Sequence, residues 1–574
     1  MQEYPYQLKL ISMMHDRGEA NTPYDRRAEI GGKACGLLSI SDTLAEIDAN
    51  KYPDIQINIP DSVVLSTNVF DAFMEQNQLY DIALSNHQDK RIAHAFQQAD
   101  MPFQVLGELR SLIEKWDMPL AVRSSGLLED TMHQPFAGVY LTKMIPNHDP
   151  STDIRFQELV EAIKFVWAST FFVLAKDYSK AVHLDIREEK MAVIIQKMVG
   201  KQHGERYYPE LSGVARSINF YPVSPATPQD GVVSLALGLG KTVVDGNKTW
   251  TYSRKYPQMP LPYKSLQAML YETQNEFWAV NMGVVPEYNP IEEMEYMQKE
   301  NLPTAEKDGV LDHLVSTFDI QTERLTMGMG QFGPRVLNFA PLLNSGLIPF
   351  NELVSEILTS LEKNLSCPLE IEFAMTFNPH RFSVLQVRPM KIDHSEQQVT
   401  LQDLDNKRNI LASKCVLGNG SIRGIQEIVY VLPDKFDLKH TKEISAELDM
   451  HNQRMLDQKL PYILIVFGRL GTLDPWLGIP VTWGQICGAK VIVEATQENV
   501  KVELSQGSHY FHNIINMDIK HFSLPVTEPY TINWDWLKKQ QVISQGEFTC
   551  HVRMEEPAIV KVDGRQGWGV IYHP

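Results

Sequence analysis

The chain has 574 residues, 43% hydrophobic and 22% charged, the balance of a globular protein with enough material for several packed cores without disulfide or metal staples. Its 53 basic residues against 71 acidic ones leave a formal charge of −18, which disfavours nucleic acid and anionic membranes as general partners and means that any anionic substrate needs a local basic pocket. The five cysteines, Cys35, Cys367, Cys415, Cys487 and Cys550, are odd in number, far apart and free of C-x-x-C spacing, the usage of reduced thiols in a cytoplasmic protein. The opening MQEYPYQLKLISMMHD has no basic region followed by an apolar one, and the longest apolar stretch, 165–175, is about half a membrane span, so a soluble protein is expected.

In chain order, Gly31–Gly32–Lys33 opens a helical pattern carried by Leu37, Leu38, Ile40, Leu44 and Ile47. IPDSVVLS reads as a short strand before a helix, PLAVRSS as a strand running into a loop that ends AGVYLT, and 155–183 as a long helical region. MAVIIQKMV, SGVARSINFY and VVSLALGL read as strands, the last ending in a glycine-rich turn. LEIEFAM and FSVLQVRP, separated by Asn378–Pro379, read as a β-hairpin. The polar stretch 393–408 is the expected linker between a region 1–392 and a C-terminal domain 409–574. In the latter, LASKCVLGNGSIRGIQEIVYV reads as two strands, 441–459 as a helix, YILIVFG, AKVIVEA and VKVELS as strands, and AIVKVDGRQGWGVIYH as a closing hairpin. Strands alternating with helices give an α/β (α+β) class for both parts.

Four segments carry groups suited to phosphate chemistry. Gly31–Gly32–Lys33 can offer backbone N–H groups and an ammonium to one anion, although it lacks the G-x-x-x-x-G-K-[ST] spacing of a P-loop. In AVRSSGLLEDTMHQPFAGVYLT, Arg123 ends an apolar strand where its guanidinium can fork a phosphate or pair with Glu129 or Asp130; Gly138 permits close backbone approach and Thr142 adds a hydroxyl. Gln196 interrupts the buried run MAVIIQKMV and needs hydrogen-bond partners there, which an adenine edge can supply together with the Met198 backbone. Glu372, Gln386 and Arg388 alternate with apolar residues on two paired strands. A carboxylate beside an amide oxygen suits Mg²⁺, and the arginine suits a transferring phosphoryl group.

Taken together, IGGKACGL, VRSSGLLEDT…FAG…T, MAVIIQKMV, SGVARS, LGLGKTVVDG and IEFA…LQVRP occur in the order in which they resemble the ATP-grasp nucleotide-binding domain shared by phosphoenolpyruvate synthase, pyruvate phosphate dikinase, glucan water dikinase and rifampicin phosphotransferase. The resemblance covers roughly residues 25–392. It implies an ATP-grasp module followed by a smaller α/β C-terminal domain, with ATP and Mg²⁺ as cofactors. It implies Lys33 and Arg123 as the phosphate-gripping pair, Gly138 and Thr142 in the loop over the phosphates, Gln196 and the Met198 backbone at adenine, Glu372 and Gln386 as magnesium ligands, and Arg388 as the transition-state cation.

Departures limit the reading. The Thr/Gly-rich turn running into Ser/Cys-His-Ala, which marks the family's phosphohistidine domain, is not found, and the residues after 392 are too few for a phosphoenolpyruvate/pyruvate barrel of about 250 residues. Lys241 stands where relatives often carry an acid. The expectation is therefore an ATP- and Mg²⁺-dependent phosphotransferase whose acceptor is a small molecule or a phosphocarrier histidine on this or another chain. The alternative is an ATP-binding regulatory module without turnover. In the last third, FGRLGTLDPWLGIPVTW reads as tight turns with core tryptophans. The turn 505–509 is an ordinary helix-capping turn with Ser508 as the cap, or it presents His509 as a substrate-binding or basic group, or as a phosphoryl acceptor. His512 lies three residues on, without the further ligands a zinc site needs.

Overall fold

Short β-branched and apolar runs set the strands, and their registers decide which polar side chains meet. A computed structural model describes the whole chain except residues 1–7, 12–22, 86, 130–137, 182–183, 221, 260–264, 285, 331, 391–397, 472–477, 498–513, 515–516, 527–528 and 565. The chain divides into two units, the first of residues 1–176, 185–218 and 229–390, the second of residues 177–184, 219–228 and 391–574. Among the described residues no helix is long and apolar enough to cross a membrane. Both units mix helices and sheets, in keeping with the α/β class.

The first unit holds a five-stranded sheet of β1 (Leu8–Ile11), β3 (Ser62–Leu65), β6 (Met191–Lys197), β4 (Leu120–Gly126) and β5 (Thr142–Ile145), in that order. β1 and β3 are parallel and the other neighbours antiparallel. A six-stranded sheet runs in the order Trp250–Ser253, Val232–Ala236, Leu211–Arg216, Leu369–Thr376, His380–Pro389 and β2 (Ile55–Asn58), antiparallel except for the last pair. The helix α1 (Pro23–Ala45) lends Ile30, Ala34, Leu37 and Ile40 to one core that also takes Val64 and Ile194 of the first sheet and Ala215, Ile371 and Phe373 of the second. This shared core holds the two sheets together. The expected helical region 155–183 is two helices, Thr152–Ser169 and Val173–Ala181; the chain turns between them and buries Phe171 against Phe70 and Phe96.

The second unit is built on a nine-stranded sheet whose centre, Gly420–Val431, Tyr462–Phe467, Ala489–Ala495 and Lys520–Leu524, is parallel. The segment read as two strands from LASKCVLGNG onward forms three, Asn409–Ser413, Val416–Leu417 and Gly420–Val431, and Gly418, at φ 93°, turns the chain between the last two. Thr549–Asp563 and Trp568–Tyr572 pair as the closing hairpin. Part of the expected linker is integrated here. Thr400 caps the short helix Leu401–Leu404, and Val399 and Leu404 are buried with Ala412 and Val570. The 505–509 turn, His509, His512 and the VKVELS segment lie outside the described residues.

Candidate functional site

Strand periodicity builds the polar site. On the six-stranded sheet, Arg216, Glu370 and Arg388 are direct cross-strand neighbours, and two residues on, Glu372 faces Gln386. Side chains two apart share a face, so these five line one side while Ala215, Ile371, Phe373 and Val387 enter the core. Glu370 is buried at the centre. It accepts from Arg216 Nε at 2.5 Å and from Arg388 Nη1 at 3.1 Å, so one carboxylate offsets two buried guanidiniums. Arg388 Nη2 also lies 3.7 Å from Glu372.

Arg123, on β4 of the other sheet, reaches the same place. It donates to the Gln386 Oε1 at 2.6 Å, to the Leu385 carbonyl at 2.8 Å and to the Gln196 Oε1 at 3.1 Å, and lies 3.9 Å from Glu372. Arg123, Glu372, Gln386 and Arg388 thus form one network, although Arg123 and Gln386 are 263 positions apart. Of the two ion-pair partners considered for Arg123, Glu129 goes to Lys33 instead, and Asp130 lies outside the described residues. Glu372 and Gln386 stand side by side with two hard oxygen donors. The Glu372 ion pairs are long, which suits a carboxylate that also serves a cation keeping waters and phosphate oxygens as its remaining ligands. Among the described residues no group of three or more His, Cys, Asp or Glu side chains could hold a metal, and a cation held by Glu372 and Gln386 would take its remaining ligands from water and phosphate.

Lys33 is positioned by a backbone feature that only glycine allows. Gly31 interrupts α1 at φ 73°, and a Cβ on it would lie 1.7 Å from the Ser125 carbonyl oxygen. The helix resumes against β4, with Ala34 N–H donating to Ser125 Oγ at 3.1 Å. Lys33 Nζ then meets Ser124 Oγ at 2.9 Å and Glu129 at 2.7 Å. Glu129 also accepts from the Gly126 N–H at 2.8 Å and from the Ser124 hydroxyl. Beside it, Glu189 is almost wholly buried; that burial, with the neighbouring charge of Glu129, pushes its pKa up to about 8.

The remaining expected residues are placed as follows. Thr142 is the cross-strand partner of Arg123, and its N–H donates to Glu293 at 3.1 Å. Gly138 is exposed at φ 67°. Gln196 is engaged at both ends of its amide, by Arg123 and by Ser62 Oγ at 3.1 Å. The Met198 N–H donates to the Pro119 carbonyl, and its own carbonyl accepts from the Tyr207 hydroxyl. The adenine contacts considered for Gln196 and Met198 therefore share groups that already hold the sheet. Sequence reasoning missed Glu370, Arg216 and Glu189, and considered Glu129 only as a partner of Arg123 and not of Lys33. The E-x-E of LEIEFA and the arginine of VARS, which mirrors the one in VRSS, are the signals that mark the first two.

A family model described as the pyruvate phosphate dikinase AMP/ATP-binding domain matches residues 27–409. The chain belongs to this family. An uncharacterised phosphotransferase of Bacillus subtilis is 30% identical over 193 residues, 33% of this chain and 20% of that protein. The phosphoenolpyruvate synthase of Aeropyrum pernix is 29% identical over 25% of this chain and 15% of its own length. The rifampicin phosphotransferase of Bacillus cereus is 27% identical over 27% and 16%. The chain therefore matches a fifth or less of each of these relatives, and what it shares with them is the nucleotide-binding family.

Proposed function

We propose that the first unit binds ATP with Mg²⁺ in the manner of an ATP-grasp domain and transfers a phosphoryl group, making this chain a phosphotransferase. The observation that carries the proposal is the network in which Arg123 from one sheet meets Glu372, Gln386 and Arg388 from the other, within a matched AMP/ATP-binding domain. Adenine binding alone needs neither a cation-ligating pair nor a buried arginine held by its own carboxylate. Phosphoryl transfer uses both, because positioning and charge stabilisation supply most of its catalysis. Arg123 and Lys33 would grip the phosphates. Glu372 and Gln386 would hold the cation, which supplies charge neutralisation at the phosphate oxygens when bound. Arg388, locked by Glu370, would meet the charge that develops on the transferring group. The acceptor would be a small molecule or a histidine of a phosphocarrier.

Product analysis after incubation with MgATP tests this. AMP identifies dikinase-like chemistry and ADP simple kinase chemistry. Bound ATP with no turnover, across small-molecule acceptors and added histidine phosphocarriers, rejects the enzyme in favour of a nucleotide-responsive regulator.

A further inference from the structure

Lys241 follows a turn that fixes it rigidly. Gly238 sits at φ 82°, and a Cβ there would lie 2.7 Å from the Trp278 carbonyl oxygen, so the LGLGK turn can lie flat against the Glu276–Asn281 strand only with glycine at that position. The Leu239 N–H donates to that same carbonyl at 3.0 Å, and Gln274 clamps both the N–H and the carbonyl of Leu237, at 2.8 and 2.9 Å.

The Lys241 ammonium lies 3.1 Å from Asp245 and 3.6 Å from Glu293 Oε2. Burial works to lower its pKa, but the two carboxylates outweigh that and raise it, so the side chain is a cation at all physiological pH. The other oxygen of Glu293 accepts from the backbone N–H of Thr142, which stands directly across from Arg123. One carboxylate is therefore shared by an ammonium and a backbone amide beside the arginine of the site.

The segment that carries Glu293 is held by contacts of its neighbours as well. The Lys143 ammonium holds the Glu292 carbonyl and the Glu295 carboxylate, and the Asn289 N–H donates to Glu295 at 2.9 Å. Lys143 itself is buried against the Phe165 and Tyr296 rings. Glu293, about a third exposed, is the acid of this segment shared between Lys241 and the Thr142 amide.

We propose that Lys241 and the Thr142 N–H form a subsite for the terminal phosphates of a nucleoside triphosphate, in which a phosphate oxygen takes the position of the Glu293 carboxylate. The inference rests on the nucleotide reading of the site given above. A phosphate oxygen suits the same two donors, and it brings more charge to Lys241 than a carboxylate does. Glu293 then competes with the nucleotide, and Lys241 distinguishes nucleotides that carry the outer phosphates from those that do not.

Calorimetric titration of the full chain with MgATP, and separately with adenosine, tests the subsite. Lys241→Ala is expected to weaken MgATP binding about ten- to a hundredfold, the worth of one lost charge-assisted contact, and to leave adenosine within about twofold. Lys241→Arg should restore most of the loss, and Glu293→Gln should tighten MgATP severalfold without changing adenosine. MgATP affinity unchanged in Lys241→Ala, or equal losses for MgATP and adenosine in a variant with wild-type thermal stability, overturns the inference. If Lys241→Ala does not fold, Glu293→Gln decides alone: tighter MgATP binding supports the subsite, and unchanged or weaker binding overturns it. A wild-type chain that binds neither ligand refutes the nucleotide reading itself, whereas wild-type binding with silent variants refutes only the subsite.

Discussion

Replacing Glu189 by glutamine should make the first unit more stable than wild type, by an amount that grows with pH. The carboxyl group is buried beside Glu129, and its pKa stands at about 8 in the folded chain against an ordinary 4.5. The folded state therefore holds the proton more tightly than the unfolded one. The stability this contributes is complete below about pH 4.5, declines as the unfolded chain ionises, and is gone once pH passes about 8. At about 1.4 kcal/mol per unit, the full interval is worth on the order of 4–5 kcal/mol. A unit of about 370 residues unfolds with an entropy of roughly 0.8 kcal/mol/K, so the effect is about 5–6 °C in Tm. The glutamine amide keeps the shape of the protonated acid and does not titrate, so the variant should lack this pH dependence. Scanning calorimetry of both proteins from about pH 4 to 9 measures the difference directly, other titrating groups being common to the two. A Tm difference constant to within about 1 °C over that range would refute the reasoning.

Arg123→Ala should weaken nucleotide binding, and Arg388→Ala should lower kcat more than it raises KM, because the Arg388 contact is proposed to strengthen only in the transition state; equal affinity losses with unchanged kcat would reject that division of roles. Glu370→Gln should cost about 3–5 kcal/mol, since it removes the buried carboxylate that the guanidiniums of Arg216 and Arg388 share, and calorimetry should register a Tm drop of several degrees. Gly31→Ala should destabilise severely or prevent folding, its Cβ meeting the Ser125 carbonyl at 1.7 Å, whereas Gly107→Ala, in the helix Phe103–Lys115 with nothing within 4 Å of its Cβ, should stabilise by about 0.5–1 kcal/mol; thermal melts of the pair compare them. A hundredfold excess of MgATP over Kd should raise stability by about 2.7 kcal/mol, and a Tm that does not move with nucleotide would count against ATP binding.

The sequence by itself determined the elements and the chemistry each could bear. Alternation in LEIEFAM and FSVLQVRP puts Glu372, Gln386 and Arg388 on one face of a hairpin, because strand periodicity is a local property. Six motifs in order were enough to indicate the nucleotide-binding family, and the family match over residues 27–409 agrees. Only the tertiary structure decided the partners. Glu129, considered from the sequence as a partner for Arg123, is instead the counter-charge of Lys33, and Gly31 lets the helix approach closely enough to bring together two residues 96 positions apart in the chain. Glu370 outranks its neighbour Glu372 as the structural centre, because burial between Arg216 and Arg388 on flanking strands depends on a sheet order that no local pattern encodes. Gln196 and the Met198 N–H, read from the sequence as groups for a ligand, are engaged by Arg123, Ser62 and Pro119. A buried polar group takes whichever partner the packed chain brings within about 3 Å, and the chain brings residues together by closing long loops, which one-dimensional spacing does not record.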